Sequence, residues 1–434
     1  MGAQAHTLIR TIGRWSLVAL MVNSIIGAGI FGLPSLLAAR LGGYSVVASL
    51  ASGAGMLIIA GCISEVSSRF EETGGLYLYA RVALGRFAGL LVGWLIWLTR
   101  VAAPAAAADL FATYAGQFFP FLRGRSAEIA AVAVLLAHLA AINYFGVKMG
   151  KVVSDTFTAI KVGILMTFIL SGLASLLLHP ELRVGLSFAP APAKSWFEAL
   201  LLLVFAYGGF EGALIVGGES SNPKKDMPFA LLMALGLQCF IYTGVIYVVV
   251  ATLPGAGASE RSLADAAQRF LGGWAAAGVG VAALISTYGY LSANLLHSPR
   301  IAFALAEQGD FPAVLARIHP RFRTPHFSIL LYSVILFAFA AAGTFQWNAT
   351  LSAVSRLVVY GAIAIALPIL RKQKGPAPFA NPAGVICSIA TLVIALVLLS
   401  QMGRSEAIVI TATAFIALAN WIFVRGRGAG QIGG

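Results

Sequence analysis

Apolar residues run through this chain in blocks long enough to cross a bilayer, and polar residues gather between the blocks instead of alternating within them. A helix needs about 20 mostly apolar residues to span the hydrocarbon core. Read between charges and Pro/Gly punctuation, the pattern predicts twelve transmembrane helices, near residues 15–38, 43–65, 86–118, 127–146, 152–178, 196–218, 228–253, 272–297, 327–344, 349–370, 382–402 and 406–424. The longest connections, near 254–271 and 298–326, have the size of a loop with one short helix, so no large soluble domain fits between spans. The first run follows Arg10 and Arg14 as a secretory leader would. It is too long for one, and Asn23 and three glycines interrupt it.

Only 10% of the 434 residues are charged and 59% are hydrophobic, whereas a soluble domain carries about 25% charged residues. That excludes a soluble enzyme and sets the fold class as an all-α polytopic membrane protein. A net charge of +13 would suggest nucleic acid in a soluble protein. Here the charges sort by side of the membrane, so no nucleic acid partner is implied. Arg10, Arg14, Arg69, Arg81, Arg86, Lys148, Lys151, Lys224, Lys225 and the basic residues at 300, 317–323, 371–374 and 425–427 share one side, which the positive-inside rule assigns to the cytoplasm. Both termini, 1–14 and 425–434, fall on that side, and a bacterial inner membrane is the expected location. Cys62, Cys239 and Cys387 lie within apolar runs and form neither a disulfide framework nor a metal cluster, so no metal or cofactor is expected.

Two spans contain glycine clusters where a helix should be continuous. The first holds Asn23-Ser-Ile-Ile26-Gly27-Ala28-Gly29-Ile30-Phe31-Gly32, and the sixth holds Phe205-Ala206-Tyr207-Gly208-Gly209-Phe210-Glu211-Gly212. Glycine costs about 1 kcal/mol per helix position relative to alanine, so a cluster favours unwinding. Unwound backbone at membrane depth is tolerated only where it is buried in protein or lines a cavity. Close packing through small residues is the plainer reading of either cluster alone. Five helices separate the pair, so the second half is inserted upside down relative to the first, the inverted-repeat arrangement of secondary transporters. Free amides at Ala28, Gly29 and Ile30 suit a carboxylate, and carbonyls near Asn23, Phe205 and Ala206 suit an ammonium. An α-amino acid carries both groups on adjacent atoms.

Five cations and acids sit at membrane depth. Lys161, well inside the fifth span, requires pairing, hydration or neutralisation and reads as a proton carrier or a fixed cation in place of a mobile one. Arg100 and Asp109 share the third span but point to opposite faces, and Glu211 is the candidate partner of Arg100. Asp109 reads as a buried hydrogen-bonded acid beside Pro104. Arg356 in the tenth span reads as structural, oriented toward neighbouring carbonyls, and His138 as a satisfied polar residue. Trp94, Trp97 and Tyr207 read as pocket walls or packing, whereas Phe205 and Phe210 adjoin the break.

These residues resemble the amino acid, polyamine and organocation (APC) transporters, near the bacterial relatives of the cationic amino acid transporters and the L-type exchangers. Ile26-Gly27-Ala28-Gly29-Ile30-Phe31 is similar to the first-span signature of that family. Phe205 through Glu211, followed by Glu219-Ser-Ser-Asn222-Pro223-Lys-Lys-Asp226-Met-Pro228, resembles its sixth span and the loop after it. Gly309-Asp-Phe-Pro312 with His319-Pro-Arg-Phe-Arg-Thr-Pro325 resembles its loop after the eighth span. The resemblance runs in order from about residue 14 to 372. It implies a LeuT-type 5+5 inverted repeat with broken first and sixth helices: one half over 15–178, the other over 196–370, and two peripheral spans over 382–424. It also implies that Phe205 gates the substrate and that Lys161 couples protons, with Ser286 and Thr287 of the eighth span as its neighbours.

The resulting expectation is proton-coupled symport of neutral L-amino acids by alternating access, with the amino acid, protons and the bilayer as partners. If Arg100 and Glu211 pair, the pocket is neutral; Glu211 alone would favour a cationic substrate, and Arg100 alone an acidic one. An obligate amino acid or amino acid/amine exchanger is the rival within transport. A non-transporting amino acid sensor is the rival outside it. An intramembrane enzyme would need a nucleophile and base, for which His138 with Asp109 is a loose candidate without a motif.

Overall fold

The computed structural model describes residues 12–72, 74–146, 151–215, 220–307 and 309–425, the side chains of 151–159 and 425 excepted. The N- and C-terminal stretches, Arg10, Lys148, the side chain of Lys151, Glu219 of the sixth-span loop and Arg427 therefore lie outside the described residues.

Each of the twelve apolar runs becomes helix. The first folds as two half-helices, α1 (Arg14–Ile25) and α2 (Gly29–Leu41), and α3 (Ser45–Ser67) follows. A short helix, α4 (Gly75–Leu84), turns at Gly85 into α5 (Arg86–Phe118). Next come α6 (Arg125–Phe145) and α7 (Lys151–Leu178). The sixth run is again two pieces, α8 (Ala193–Tyr207) and α9 (Glu211–Ile215), before α10 (Pro223–Thr252). A second short helix, α11 (Ser262–Leu271), precedes α12 (Gly273–Glu307), and α13 (His326–Ala342), α14 (Phe345–Lys374), α15 (Gly384–Leu399) and α16 (Arg404–Arg425) complete the described chain. Eight helical stretches among the described residues are long and apolar enough to cross a membrane, and α13 and α15 are shorter apolar helices. The chain is a multi-pass membrane protein of the expected all-α class.

Helix α5 forms the axis of the bundle, packed by α14 and α12 and flanked by α13, α6, α4 and α16. Its middle is Ala102, Ala103 and Ala105 through Ala108, none more than 2% exposed. Lipid tails give helices no hydrophobic reason to associate, so close backbone approach through small side chains supplies the packing contacts. Pro104 sits within this helix without ending it. Long apolar side chains face outward instead, with Leu177, Ile386 and Phe423 all 70% exposed or more, as a lipid-facing surface requires.

Two buried acids knot one end of the bundle. Glu65 at the end of α3 accepts 2.6 Å hydrogen bonds from Nε and Nη2 of Arg371 in α14, one at each oxygen, a third from Arg69 at 3.2 Å, and the Asn381 amide at 3.2 Å. Asp310, after α12, accepts from the Tyr77 hydroxyl at 2.5 Å and pairs with Arg81 at 3.4 Å and Arg86 at 3.0 Å. Its carbonyl accepts from the Asn420 side chain of α16. Paired Arg–carboxylate forks of this kind satisfy charges that burial would otherwise strand.

Candidate functional site

The two interrupted helices cross at their breaks. Helix α1 ends at Ile25, Ile26 is extended, and helix resumes at Gly29. Among the described residues, the amides of Gly27, Ala28, Gly29 and Ile30 make no backbone hydrogen bond. They are the orphan donors of a helix N-terminus, where the dipole is positive. On the other side α8 ends at Tyr207, and Gly209 has φ +122°, a conformation L side chains rarely adopt. A Cβ on Gly209 would also run into the Ser24 carbonyl oxygen, and one on Gly29 would lie 3.1 Å from the Ala206 Cα. The glycines are thus required both for the turn and for the approach of the two backbones.

Between the breaks lies a cavity of about 10 Å³, lined by Ser24, Ile25, Gly27, Ala28, Gly29, Phe205, Ala206, Gly208, Tyr290 and Arg356. That is space for about one water. An amino acid enters only if the helices part. Phe205 bounds the cavity and meets Phe345 at the start of α14 edge-on, with ring centroids 6.0 Å apart. Phe345 in turn rests on Gly32 of α2.

Lys161 reaches the first break from α7. Its Nζ donates to the Ile26 carbonyl at 3.1 Å and to Asn23 Oδ1 at 3.3 Å, and the residue is 5% exposed. The ammonium therefore binds the unwound backbone itself. The expected neighbours in α12 do not bond to it: the Thr287 hydroxyl donates to the Ala283 and Leu284 carbonyls of its own helix, and Ser286 Oγ is buried with no partner among the described residues. Asn23, expected to offer a carbonyl to substrate, gives its side chain to Lys161.

Glu211, the first residue of α9, is paired with Arg356 and not with Arg100. Arg356 Nε donates to Glu211 Oε1 at 2.9 Å, the Tyr360 hydroxyl donates to the same oxygen, and the Gly209 amide donates to Oε2 at 2.7 Å. Arg356 Nη1 also donates to Ser352 Oγ at 2.5 Å. The guanidinium sits so close to Gly208 that a Cβ there would collide with it. Arg356 thus faces the sixth-span break, and its orientation toward carbonyls is corrected to a carboxylate, a hydroxyl and the cavity. Ser352 and Tyr360, one turn to either side on α14, are the readable signal for it: three polar groups on one face of an apolar helix. Tyr290 of α12 is the other wall residue that carried no sequence signal.

The remaining polar groups lie apart from the cavity. Asp109 pairs with Arg125 at 3.4 Å, and His138 meets the Tyr288 hydroxyl at 3.4 Å, so the loose His138–Asp109 candidate is not assembled. Phe210 is fully buried and stacks on Tyr360 at 5.8 Å, behind the cavity, and Ile26 and Ile30 turn their side chains into the core. Trp94 stacks on Phe311, and Trp97 packs edge-on to Tyr332.

Comparison with known proteins matches the sequence model of one family, described as amino acid permease, over residues 12–424. The chain is similar to the methylthioribose transporter of Bacillus subtilis (strain 168), 27% identical over 390 residues, covering 86% of this chain and 83% of the relative. It is 30% identical over 342 residues to the serine/threonine exchanger SteT of the same bacterium, covering 76% of each. It is 27% identical over 391 residues to cationic amino acid transporter 4 of Mus musculus, covering 86% of this chain and 61% of the relative.

Proposed function

The chain belongs to the amino acid permease family, a family of transporters and not of enzymes, and from that premise we propose proton-coupled symport of an amino acid by alternating access. The observation that carries the reading is Lys161 donating into the first-span break beside free amides. The substrate carboxylate binds the amides of Gly27 through Ile30, and its ammonium binds the carbonyls at the end of α8, Ala206 foremost. The protonated Lys161 holds the Ile26 carbonyl, and with it the shape of the carboxylate site. Loss of its proton weakens both of its hydrogen bonds to oxygen and loosens that segment, which links proton passage to substrate release. Residues 15–178 and 196–370 act as inverted halves that rock about the crossed breaks, and 382–424 is peripheral. Both termini are cytoplasmic in a bacterial cell membrane.

Obligate exchange is the second reading, favoured by the relative named a serine/threonine exchanger. A neutral side chain follows if Arg100 and Glu211 cancel; Glu211 pairs with Arg356, so the side-chain class turns on Arg100. The test is uptake of a radiolabelled amino acid panel into proteoliposomes, empty or preloaded, with and without an inward proton gradient. Symport requires gradient-stimulated uptake into empty vesicles that Lys161→Ala uncouples. Uptake confined to preloaded vesicles would replace symport with exchange.

A further inference from the structure

We propose that Arg100 makes the site selective for an amino acid whose side chain carries an acid, an inference that rests on the transport reading above. Among the described residues, the other charged side chains in the middle of the bundle have partners: Lys161 two oxygens, Arg356 Glu211 and Ser352, and Asp109 Arg125 through one of its two oxygens. Arg100 is the exception. Its Nε is buried with no acceptor, and its side chain makes no hydrogen bond or ion pair among the described residues. An unpaired guanidinium at membrane depth marks a functional group by default, because the chain gains nothing structural from it.

Its position gives the function. The guanidinium lies against α9 just past the sixth-span break, where a Cβ on Gly212 would come within 2.8 Å of Nη2. Glu211 is the carboxylate beside both arginines, and both of its oxygens are taken by Arg356, Tyr360 and the Gly209 amide. Two guanidinium groups against one carboxylate leave one positive charge in excess beside the sixth-span break, where Arg356 lines the cavity and Arg100 lies against Gly212. The α-ammonium and α-carboxylate of a substrate cancel each other and do not offset it. A side-chain carboxylate does, and the Arg100 fork suits it in a bidentate geometry. A side-chain ammonium meets like charge, and an amide or alkyl group leaves the cation unmatched.

The experiment measures uptake of radiolabelled L-glutamate, L-aspartate, L-glutamine, L-leucine and L-lysine by wild type, Arg100→Gln and Arg100→Lys in proteoliposomes. In wild type, glutamate or aspartate is preferred over glutamine by at least about tenfold, with lysine lowest. Arg100→Gln abolishes that ratio, and Arg100→Lys keeps part of it, since it retains the charge but not the fork. The glutamate-to-glutamine comparison in wild type decides the matter even if a variant fails to fold. Wild-type uptake of glutamine, leucine or lysine equal to or above that of the acids overturns the inference and leaves transport standing. An Arg100→Gln ratio unchanged from wild type also overturns it. Folded wild type that moves no amino acid overturns the inference and the transport reading together.

Discussion

Replacing Arg356 with glutamine strands a carboxylate whose side chain is 9% exposed, in a bundle where water cannot reach it freely. Removing one member of a buried ion pair destabilises by about 3–5 kcal/mol, because the other charge stays desolvated. Glu211 would keep the Tyr360 hydroxyl and the Gly209 amide, which places the expected loss at the lower end, about 3 kcal/mol. Glu211→Gln is the reciprocal change: Arg356 keeps only Ser352, and a comparable loss is expected. Substituting both removes both charges at once and leaves two amides able to bond to each other. The double variant should therefore be more stable than the sum of the single losses by about 2 kcal/mol, the coupling that a double-mutant cycle isolates. The assay is the melting midpoint of purified protein in detergent across the four members of the cycle, converted through denaturant titration at one temperature. A single variant that melts with wild type, or a double variant that loses the full sum, would refute the reasoning that this pair fixes the sixth-span break.

Gly209→Ala forces an L residue to φ +122° and drives a Cβ into the Ser24 carbonyl, so folded yield should fall sharply. The control Gly163→Ala, whose Cβ would meet nothing within 4 Å, should be neutral or stabilise α7 by about 0.5–1 kcal/mol. Glu65→Gln weakens the fork to Arg371, and limited proteolysis should then cut the connection between α14 and α15 faster than in wild type.

The twelve spans were legible because hydrocarbon imposes both a length and an apolar composition on any helix that crosses it. The breaks were legible for a related reason: Gly27, Gly29, Gly208 and Gly209 are poor helix formers placed where a helix is obligatory. What the chain does not announce is the rotation of each helix about its own axis. Arg100 and Glu211 were matched as opposite charges of the third and sixth spans, yet Glu211 turns to Arg356, and Lys161 finds a carbonyl in the break after α1 instead of a hydroxyl in α12. Backbone acceptors such as the Ile26 carbonyl have no letter of their own in a sequence. Amphipathic α4 and the continuation of α12 through Pro299 to Glu307 escaped because neither is apolar enough to read as membrane-spanning.

Asp310 draws its partners from opposite ends of the polypeptide. Tyr77, Arg81 and Arg86 are in place early in synthesis, whereas Asn420 emerges only after every other described helix has been made. During insertion the arginines must therefore wait for more than half the chain before their acid arrives, and the knot is completed only when α16 docks. A chain without α16 would keep the tyrosine and arginine partners of the Asp310 carboxylate and lose only the Asn420 bond to its carbonyl.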